Sequence, residues 1–299
     1  MLETLAGYAL RNRLCFGNSM QAQINCKGKR LSLNRPLIMG IVNVTPDSFS
    51  DGGKYNSPDL AFLHAKQLID EGADILDIGG ESTRPGAEEV GLETELERVI
   101  PLIHRLAPLD VPLSIDTSKP EVMYAAVKAG ASFINDVYAL RRPGALDAAV
   151  ESGANICIMH MLGEPRTMQL NPHYENVTSE VMQFLQSRVN ALESAGCEPS
   201  RIVLDPGFGF GKNLTHNLTL LRNIGKITAL GYPLLAGLSR KSMLGTLTGH
   251  KSPGARVYAS IAAALISVQN GAHIVRVHDV AATRDALKVW EAVIKDNGQ

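Results

Sequence analysis

The sequence predicts an α/β protein built as a single (β/α)8 TIM barrel with a short N-terminal extension and hairpin. Eight short apolar runs alternate with amphipathic segments along the chain, which is the pattern of repeated βα units. Each apolar run ends in a polar residue. From Asn43 to Arg276 there are seven repeats of roughly 33 residues, about the size of one βα unit. An open, doubly wound sheet of eight strands would give the same local pattern and stays an alternative.

The composition agrees with a parallel α/β protein. The 299 residues are 45% hydrophobic and 20% charged, which provides enough apolar material for a large core. Aromatic residues make up only 5%, so the core is expected to consist mainly of Ala, Ile, Leu and Val. A chain of this length fits either one barrel domain or two smaller domains.

The charge balance and the cysteines exclude several classes of protein. With 29 basic and 30 acidic residues the net charge is −1, so we expect neither a nucleic acid nor an anionic membrane surface as partner. Cys15, Cys26, Cys157 and Cys197 form no C-x-x-C pair, which argues against a zinc site or a disulfide scaffold and favours a reducing, cytoplasmic setting. No apolar stretch is long enough to span a bilayer, and the N-terminus lacks the apolar region of a signal peptide.

In chain order, the N-terminal segment comes first and the strands follow. Residues 1–20 show no strong periodicity and are expected to be disordered or loosely attached. Residues 21–33 are predicted as a short hairpin that closes the bottom of the barrel, so one domain covers residues 21–299. The predicted strands lie at residues 37–42, 75–78, 112–115, 132–134, 155–159, 201–204, 233–238 and 272–277.

The segments between the strands are predicted as the outer helices. Gly72, Gly130, Gly196 and Gly271 follow four of them, which is typical of helix C-termini. Apolar residues recur at helical spacing in residues 59–71, 93–106, 121–129, 177–195, 214–223, 256–270 and 281–294.

The polar residues at the strand ends are the candidate site. A single such residue is more simply explained as the cap of the next helix. Eight strand ends in succession favour a shared pocket, because the C-terminal strand ends form the active face of a (β/α)8 barrel. The residues are Asn43, Asp77, Asp116, Asn135 with Asp136, His160, Asp205, Ser239 to Lys241, and Arg276 with His278.

Three connections are longer than a simple link requires. They span residues 43–53, 79–86 and 161–175, and they combine Pro with Gly as loops that order around a ligand do. A long exposed turn explains their composition equally well.

Residues 207–212 read GFGFGK, which matches neither the G-x-G-x-x-G nor the Walker A spacing. His160 is expected to be a satisfied strand-end histidine rather than a ligand.

Seven motifs in order resemble the dihydropteroate synthases, a pterin-binding family. They are NVTPDSFSDGG (43–53), DIGGESTRPG (77–86), SIDT (114–117), INDV (134–137), DPGFGFGK (205–212), SRKS (239–242) and RVHDV (276–280). The resemblance runs from about Pro36 to Trp290. It implies a transferase that joins 6-hydroxymethyl-7,8-dihydropterin diphosphate to 4-aminobenzoate, forming 7,8-dihydropteroate and pyrophosphate in folate biosynthesis. It also implies a sulfonamide target, because the second loop keeps the family pattern without an insertion.

The resemblance implies a pterin site at the strand ends. The 2-amino-4-oxo edge of a pterin presents adjacent N–H donors, for which a carboxylate is the matching acceptor. Asp205 is expected to accept from this edge, Asp116 and Asn135 to complete it, and Lys241 to donate to the ring. Met159 is expected to pack against the flat pterin. From the residues alone, Asp116 and Asp136 cannot be ranked, and either also suits a helix cap.

The diphosphate requires local positive charge in a chain of nearly zero net charge. Arg276 and His278 follow the last strand, and the helix that begins near Ala281 is expected to aim its N-terminal amides the same way. This position agrees with the phosphate site after strands 7 and 8 of many such barrels. The resemblance adds Thr83 to the residues expected to bind the diphosphate.

The resemblance implies Mg²⁺ as cofactor, with Asn43 as its ligand. Mg²⁺ favours a few protein oxygens together with phosphate and water. Asp51 is expected to join the metal or to stabilise a cationic pterin. The expected catalytic residues are therefore Asn43, Asp51, Lys241, Arg276 and His278.

The second substrate is expected to bind between the first two long loops and the rim. Phe49, Pro85 and Phe210 would pack on its ring, and Ser239 would hydrogen-bond its carboxylate. Ordered binding, with the pterin diphosphate first, is expected because mobile loops form part of this pocket. The full set implied by the resemblance is Phe49, Thr83, Arg84, Pro85, Phe210, Ser239 and Lys241.

Two other functions are weighed against the synthase. A pterin-binding methyltransferase would pass a methyl group from methyltetrahydrofolate to a corrinoid, but the complete first two loops and the SRK motif argue against it. A non-catalytic paralogue should have lost Asn43, Arg276 or Lys241, and all three are present. A homodimer is expected by resemblance, and the Ala-rich segment 260–268 suits either its interface or packing inside the monomer.

Overall fold

The computed structural model describes residues 23–44, 57–82, 89–164 and 167–294, and these contain ten strands and ten α-helices. Strands β1 to β10 are Gln23–Cys26, Lys29–Ser32, Leu37–Asn43, Ile75–Gly79, Leu113–Asp116, Phe133–Asp136, Asn155–Met159, Ile202–Asp205, Leu235–Ala236 and Ile274–Val277. Helices α1 to α10 are Ser57–Asp70, Leu92–Leu106, Pro120–Ala129, Ala145–Glu151, Val177–Ser194, Leu214–Arg222, Ile224–Thr228, Ser242–Thr248, Val257–Gln269 and Val280–Ile294.

Strands β3 to β10 form a nearly closed parallel barrel. They pair in the order β8-β7-β6-β5-β4-β3-β10-β9. A parallel bridge between Leu204 and Leu234 joins the two ends of the sheet, and the Leu204 N–H donates to the Pro233 carbonyl at 2.9 Å. Helices lie between successive strands, so the predicted (β/α)8 barrel is confirmed over the open, doubly wound sheet.

The strand register places the predicted site residues side by side. Asn43 is paired with Gly79, Gly79 with Asp116, and Asp116 with Asn135. On the other side of the barrel, Met159 is paired with Asp205. Because all eight strands are parallel, their C-terminal ends meet at one rim. The chemistry-bearing residues of distant segments are therefore neighbours across single strand pairs.

The predicted hairpin lies against the opposite end of the barrel. Strands β1 and β2 pair antiparallel, with Ile24 opposite Leu31. Ile24 and Cys26 are buried in one apolar cluster with the first residues of the barrel strands, among them Leu37 and Phe133. Lys29 donates from Nζ to the Leu109 carbonyl at 2.8 Å. The hairpin thus covers the bottom of the barrel, as its sequence predicts.

The seven predicted helices are confirmed to within two residues at each end. Pro120 occupies the first turn of α3, where its missing N–H costs no hydrogen bond. The Asn176 side chain caps α5 by accepting the Ser179 N–H at 3.1 Å. Gly130, at the end of α3, has φ +126°, and a Cβ there would lie 2.7 Å from Ala107 Cβ. No helix among the described residues combines the length and apolar content needed to cross a membrane.

The structure differs from the prediction in four short elements. Helices α4, α7 and α8 are absent from the predicted set, because five to seven residues are too few to establish a helical period. Strand β9 comprises only Leu235–Ala236 rather than residues 233–238. Pro233 has no N–H for the ladder, and beyond Gly237 the backbone turns until Arg240 adopts a left-handed φ of 57°.

Candidate active site

One half of the site lies above Gly237, at the end of β9. A Cβ on this glycine would lie 3.9 Å from Arg276 Cβ, 4.0 Å from Asp205 Oδ2 and 4.0 Å from Lys241 Nζ. These three side chains come from β10, β8 and the turn after β9, yet they surround a single point on the rim. Gly237 therefore leaves open the space between the Asp205 carboxylate, the Lys241 ammonium and the base of the Arg276 side chain.

The other half of the site lies above Gly79, at the end of β4. A Cβ here would lie 3.8 Å from Asp116 Oδ2 and 3.9 Å from Asn43 Oδ1. The Asn43 side chain is half-buried, and it has no hydrogen-bond partner among the described residues. A hard oxygen donor is thus available beside Asp116.

Arg276 joins the two halves through paired carboxylates. Its Nε donates to Asp77 Oδ2 and its Nη2 to Asp116 Oδ2, each at 2.6 Å. Asn135 Nδ2 also donates to Asp77 Oδ2, at 3.1 Å. Burial alone would lower the pKa of Arg276, but the Asp77 and Asp116 carboxylates outweigh it and raise that pKa. Arg276 therefore stays charged, with Nη1 free of acceptors in the described part of the chain.

Asp77 is a site residue that the sequence-based assignment left without a role. It is fully buried, and its Oδ1 has no hydrogen-bond partner within the described residues. Its position at a strand end was the available signal, but its partner Arg276 lies at the far end of the chain. The carboxylate aligns both Arg276 and Asn135, so it orients two predicted ligand-binding residues at once.

Asp116 has an unusual protonation equilibrium. Burial raises its pKa to about 7, with the neighbouring Asp77 carboxylate acting in the same direction and Arg276 against them. A carboxyl group that titrates near neutral pH can accept or donate a hydrogen bond. Asp116 is therefore suited to a ligand edge that carries both donors and acceptors.

Asp136 does not belong to the site. Its carboxylate accepts the Tyr138 and Leu140 N–H groups at 2.8 and 2.7 Å, which fixes the turn after β6. Ala139 and Leu140 have left-handed φ angles in this turn, and the carboxylate holds them there. The two carboxylates that sequence alone could not rank are thus separated: Asp116 faces the rim and Asp136 caps a turn.

Lys241 and Asp205 form the polar centre of the Gly237 half. Burial lowers the pKa of Lys241 to about 8, although the Asp205 carboxylate acts in the opposite direction. Burial likewise raises the pKa of Asp205, with Lys241 opposing it. Asp205 Oδ1 accepts the Gly207 N–H at 2.7 Å, while Oδ2 points toward Lys241. A buried carboxylate oxygen is thereby presented to the rim beside an ammonium group.

Phe210 and Met159 supply the apolar wall of the site. Lys241 Nζ lies 4.6 Å from the centroid of the half-buried Phe210 ring and donates to the Phe208 carbonyl. Met159 packs in a small cluster with Met161 and Met168, against which Phe210 also lies. Phe208 is fully buried, so of the two phenylalanines in this turn only Phe210 can reach a ligand.

Ser239 and His278 contact each other, although the sequence assigned them to different ligands. Ser239 Oγ lies 2.9 Å from His278 Nδ1 and accepts the His278 N–H at 3.1 Å. Between Ser239 and Lys241, Arg240 is anchored by its Nε on Asp279 Oδ2 at 3.0 Å. The turn after β9 is thus tied to the residues that follow β10.

Three further predictions concern the start of helix α10, the residues of the first two long loops, and His160. Helix α10 begins at Val280, and the Ala281 N–H already donates to Glu71 Oε2 at 3.2 Å. That amide is therefore engaged by a side chain, and the predicted contact of the other N-terminal amides with the diphosphate stays a prediction. The predicted residues Phe49, Asp51, Thr83, Arg84 and Pro85 lie outside the described residues. His160 is satisfied as expected, since its Nδ1 lies 2.9 Å from Lys212 Nζ.

A (β/α)8 barrel whose rim gathers buried carboxylates, two cations and an apolar wall defines an enzyme for a polar, partly flat small molecule. The family model described as pterin binding enzyme matches residues 39–278. The curated dihydropteroate synthase of Haemophilus influenzae is 51% identical, over 90% of this chain and 98% of the relative.

Solved structures agree with this relative. The Xanthomonas albilineans dihydropteroate synthase with 4-aminobenzoic acid has a TM-score of 0.88 and 53% identity, over 92% of this chain and 99% of that one. The Yersinia pestis dihydropteroate synthase in a sulfonamide drug complex has a TM-score of 0.87 and 47% identity, over 91% and 98% of the two chains. The chain belongs to the dihydropteroate synthase family and is a transferase.

Proposed function

We propose that this active site joins 6-hydroxymethyl-7,8-dihydropterin diphosphate to 4-aminobenzoate, giving 7,8-dihydropteroate and pyrophosphate. The observation that carries the proposal is the meeting of Asp205, Lys241 and Arg276 around Gly237. In a chain of this family, that arrangement gives the pterin its acceptor and ring donor next to the strand that carries Arg276, which is proposed to bind the diphosphate.

The pterin is oriented by the buried carboxylates. Asp205 Oδ1 is already engaged by Gly207, so Oδ2 remains to accept from the 2-amino edge of the ring. Asp116 and Asn135, paired across β5 and β6, lie along the neighbouring part of the rim. Lys241 donates to the ring acceptors, and Met159 packs on its face. Asn135, Met159 and Asp205 are buried, so a bound pterin ring would need to displace water only from the partly exposed Asp116 and Lys241.

Bond breaking needs no protein nucleophile. The carbon–oxygen bond to the diphosphate breaks with its electron pair on pyrophosphate, which leaves a cation delocalised into the pterin. The amino nitrogen of 4-aminobenzoate attacks that carbon and then loses a proton. Arg276, whose Nη1 has no acceptor among the described residues, and His278 stabilise the departing anion, while the Asp116 and Asp205 carboxylates stabilise the cationic fragment.

Mg²⁺ is proposed as the cofactor, held by Asn43. The donor set fits, because the Asn43 amide oxygen is a hard ligand without another partner among the described residues. In those same ranges no group of three or more His, Cys, Asp and Glu residues could hold a metal ion. Asn43 would supply one oxygen, and phosphate oxygens and water would fill positions that the protein leaves open. When bound, the ion would supply charge neutralisation of the diphosphate.

The second substrate is proposed to bind beside Phe210. The half-exposed ring packs on the aminobenzoate, and Ser239 and Lys241 lie on the same turn to receive its carboxylate. Phe49, Thr83, Arg84 and Pro85 complete this pocket by resemblance. A sulfonamide drug complex of the Yersinia pestis relative supports sulfonamide inhibition of this chain at the same place.

A homodimer is proposed through the α9 face. Within α9, Ser260, Ala263, Ala264 and Ser267 are buried in the monomer, which accounts for four of its six Ala and Ser residues. Tyr258 is 85% exposed and Ile266 43% exposed, so an apolar strip remains on the outer side of the helix. A family-typical dimer would cover this strip.

The synthase activity is tested with purified protein, dihydropterin diphosphate, 4-aminobenzoate and Mg²⁺. We expect pyrophosphate and dihydropteroate in equal amounts. Asp205→Asn should raise KM for the pterin substrate, whereas Arg276→Ala should chiefly lower kcat by about 100-fold, as for loss of one preorganised charge contact. Arg284→Ala is the matched control, because Arg284 pairs with Asp74 at 2.7 Å away from the rim.

Three results would contradict this function. Binding of the pterin without product would indicate a binding protein. Methyl transfer from methyltetrahydrofolate to a corrinoid would indicate the related methyltransferase. Arg284→Ala with the same loss of kcat as Arg276→Ala would show that the effect reports stability rather than catalysis.

A further inference from the structure

Lys212 is a buried lysine that the proposed mechanism does not use, and burial lowers its pKa while the Asp205 carboxylate opposes that shift. It is only 3% exposed, although lysine is among the residues least often buried. Its Nζ lies 2.9 Å from each of Gly207 O, Phe210 O and His160 Nδ1, and 3.3 Å from His160 O. An ammonium group has three donors, and here each has an acceptor in reach.

The turn around Lys212 leaves almost no room for another conformation. Gly207 and Gly211 have φ angles of +67° and +64°, which favour glycine. A Cβ on Gly207 would lie 1.8 Å from the His160 carbonyl oxygen, and one on Gly211 would lie 2.7 Å from Leu162. The turn at residues 207–211 packs closely against the loop after β7. The carbonyls of Gly207 and Phe210 accept hydrogen bonds from Lys212 Nζ. Removing that ammonium would leave buried acceptors unpaired.

The same turn sets the position of two residues of the proposed second-substrate pocket. The Phe208 carbonyl accepts from Lys241 Nζ, and the Phe210 ring lies beneath that ammonium. The backbone carbonyl of Phe210 is itself held by Lys212. Asp205, by contrast, is the last residue of β8 and is held by the strand ladder. Lys212 therefore holds the Phe210 backbone directly, whereas it reaches Asp205 through Gly207, whose N–H donates to Asp205 Oδ1 at 2.7 Å.

We infer that Lys212 is a positioning residue for the 4-aminobenzoate pocket, which fixes the Phe210 ring against Lys241 by holding the Gly207 and Phe210 carbonyls. The inference rests on the proposed function, because it takes Phe210 to contact 4-aminobenzoate. It assigns Lys212 no contact with substrate. Lys212 would affect the position of the pocket wall, so its removal should change the Michaelis constant for 4-aminobenzoate more than that for the pterin diphosphate.

Lys212→Met tests this role, since methionine keeps the length and removes the donors. The KM for 4-aminobenzoate should rise about tenfold, in keeping with loss of buried hydrogen bonds, while the KM for the pterin diphosphate rises much less. If Lys212→Met does not fold, Lys212→Gln, which keeps a donor, is measured instead and should show a smaller rise in the same constant. A proportionate rise in both constants would overturn the inference.

Arg201→Met is the matched structural control. Arg201 also holds three backbone carbonyls, those of Ala149, Val150 and Ala154, at 2.8 to 3.1 Å. It precedes β8, at the end of the barrel away from the rim. Arg201→Met should lower the melting temperature and leave both Michaelis constants unchanged. If it raised the KM for 4-aminobenzoate as Lys212→Met does, a purely structural role would explain both.

A double-mutant cycle with Phe210→Ala shows whether Lys212 acts through Phe210. The double variant should have the same KM for 4-aminobenzoate as Phe210→Ala alone. Additive effects would overturn the inference and leave the proposed function intact. Wild-type protein without synthase activity, or Phe210→Ala with an unchanged KM, would instead overturn the proposed function at this pocket and the inference with it.

Discussion

At the scale of single residues, the site is a balance of buried charges. Asp77, Asp116 and Asp205 face Lys241 and Arg276 across the rim. Each ion has an opposite charge nearby, which offsets the cost of burying it. Burial raises the pKa of Asp116 to about 7 and lowers that of Lys241 to about 8. The net charge of the site therefore becomes more negative as the pH rises through this range. The activity should therefore depend on pH through these two groups.

The alkaline side of the profile belongs to Lys241. Its ammonium is protonated below about 8 and becomes neutral above, because burial favours the uncharged form. We expect kcat/KM for the pterin diphosphate to fall about tenfold per pH unit above that value, as for loss of one required proton. Initial rates measured at low substrate concentration, from about pH 6 to about pH 10, give this profile.

Lys241→Arg is the control for this assignment. Arginine stays charged throughout the alkaline range, so the variant should lose the alkaline limb even if its maximal rate is lower. The same limb in wild type and in Lys241→Arg would assign the titration to another group or to the substrate.

Individual roles at the rim were partly predictable from sequence. Strand-end position identified Asp116, Asn135, Asp205, Lys241 and Arg276 because a parallel barrel brings such ends together. It could not show that Asp77 pairs with Arg276, since the two lie 199 positions apart and nothing local connects them. It also could not separate Asp116 from Asp136, because that difference lies in which backbone amides each carboxylate meets.

At the scale of elements, the N-terminal hairpin packs on the end of the barrel opposite the active-site rim and covers it. Its sequence predicts a hairpin through alternation, since Ile24 and Cys26 face inward while Gln23 and Asn25 face solvent. The barrel strands were predictable because they are buried on both faces and read as continuous apolar runs. Helices α4, α7 and α8 were not, because their one or two turns are stabilised by packing rather than by pattern.

Ile24→Ala should destabilise the protein without affecting the active site. Ile24 is fully buried against the strand starts, so truncation removes contacts and leaves a cavity. We expect the free energy of unfolding to fall by about 2–5 kcal/mol. Urea denaturation measures this change, and both Michaelis constants should stay at wild-type values below the unfolding transition because the rim lies at the other end.

Gln23→Ala controls for the strand itself. Gln23 lies next to Ile24 and is exposed, so its truncation should change stability by less than about 0.5 kcal/mol. An equal loss in both variants would mean that the hairpin, and not its apolar face, limits stability. A changed KM in Ile24→Ala would contradict the separation of the two ends.

At the scale of the whole molecule, the barrel is closed least securely between β8 and β9. Strand β9 has two residues and two paired positions on β10, and a single isolated bridge, at Leu234 just before β9, joins this segment to β8. The site spans this seam, because Asp205 ends β8 and Lys241 follows β9. The sequence predicted eight strands but not where the barrel has the fewest strand-pairing contacts. The shortening of β9 depends on the turn between Gly237 and Lys241, which is a feature of the folded structure.

Hydrogen exchange should detect this seam through the Leu204 amide, with Leu76 as its matched reference. Both leucine amides donate to a proline carbonyl, Leu204 to Pro233 at 2.9 Å and Leu76 to Pro112 at 3.0 Å. Leu76 lies in the well-paired part of the sheet, so Leu204 should exchange faster in the free protein through local opening. Equal exchange rates would show that the seam opens only with the whole barrel.

Ligand should close the seam, because a pterin bound to Asp205 and Lys241 bridges the two strands. At a pterin diphosphate concentration of about 100 times Kd, openings that abolish binding become about 2.7 kcal/mol less favourable. Leu204 exchange should then slow by up to about 100-fold. Asp205→Asn should keep the fast exchange of the free protein and lose most of this protection at the same ligand concentration. Protection that survives in Asp205→Asn, or none in wild type, would mean that the substrate does not hold β8 and β9 together.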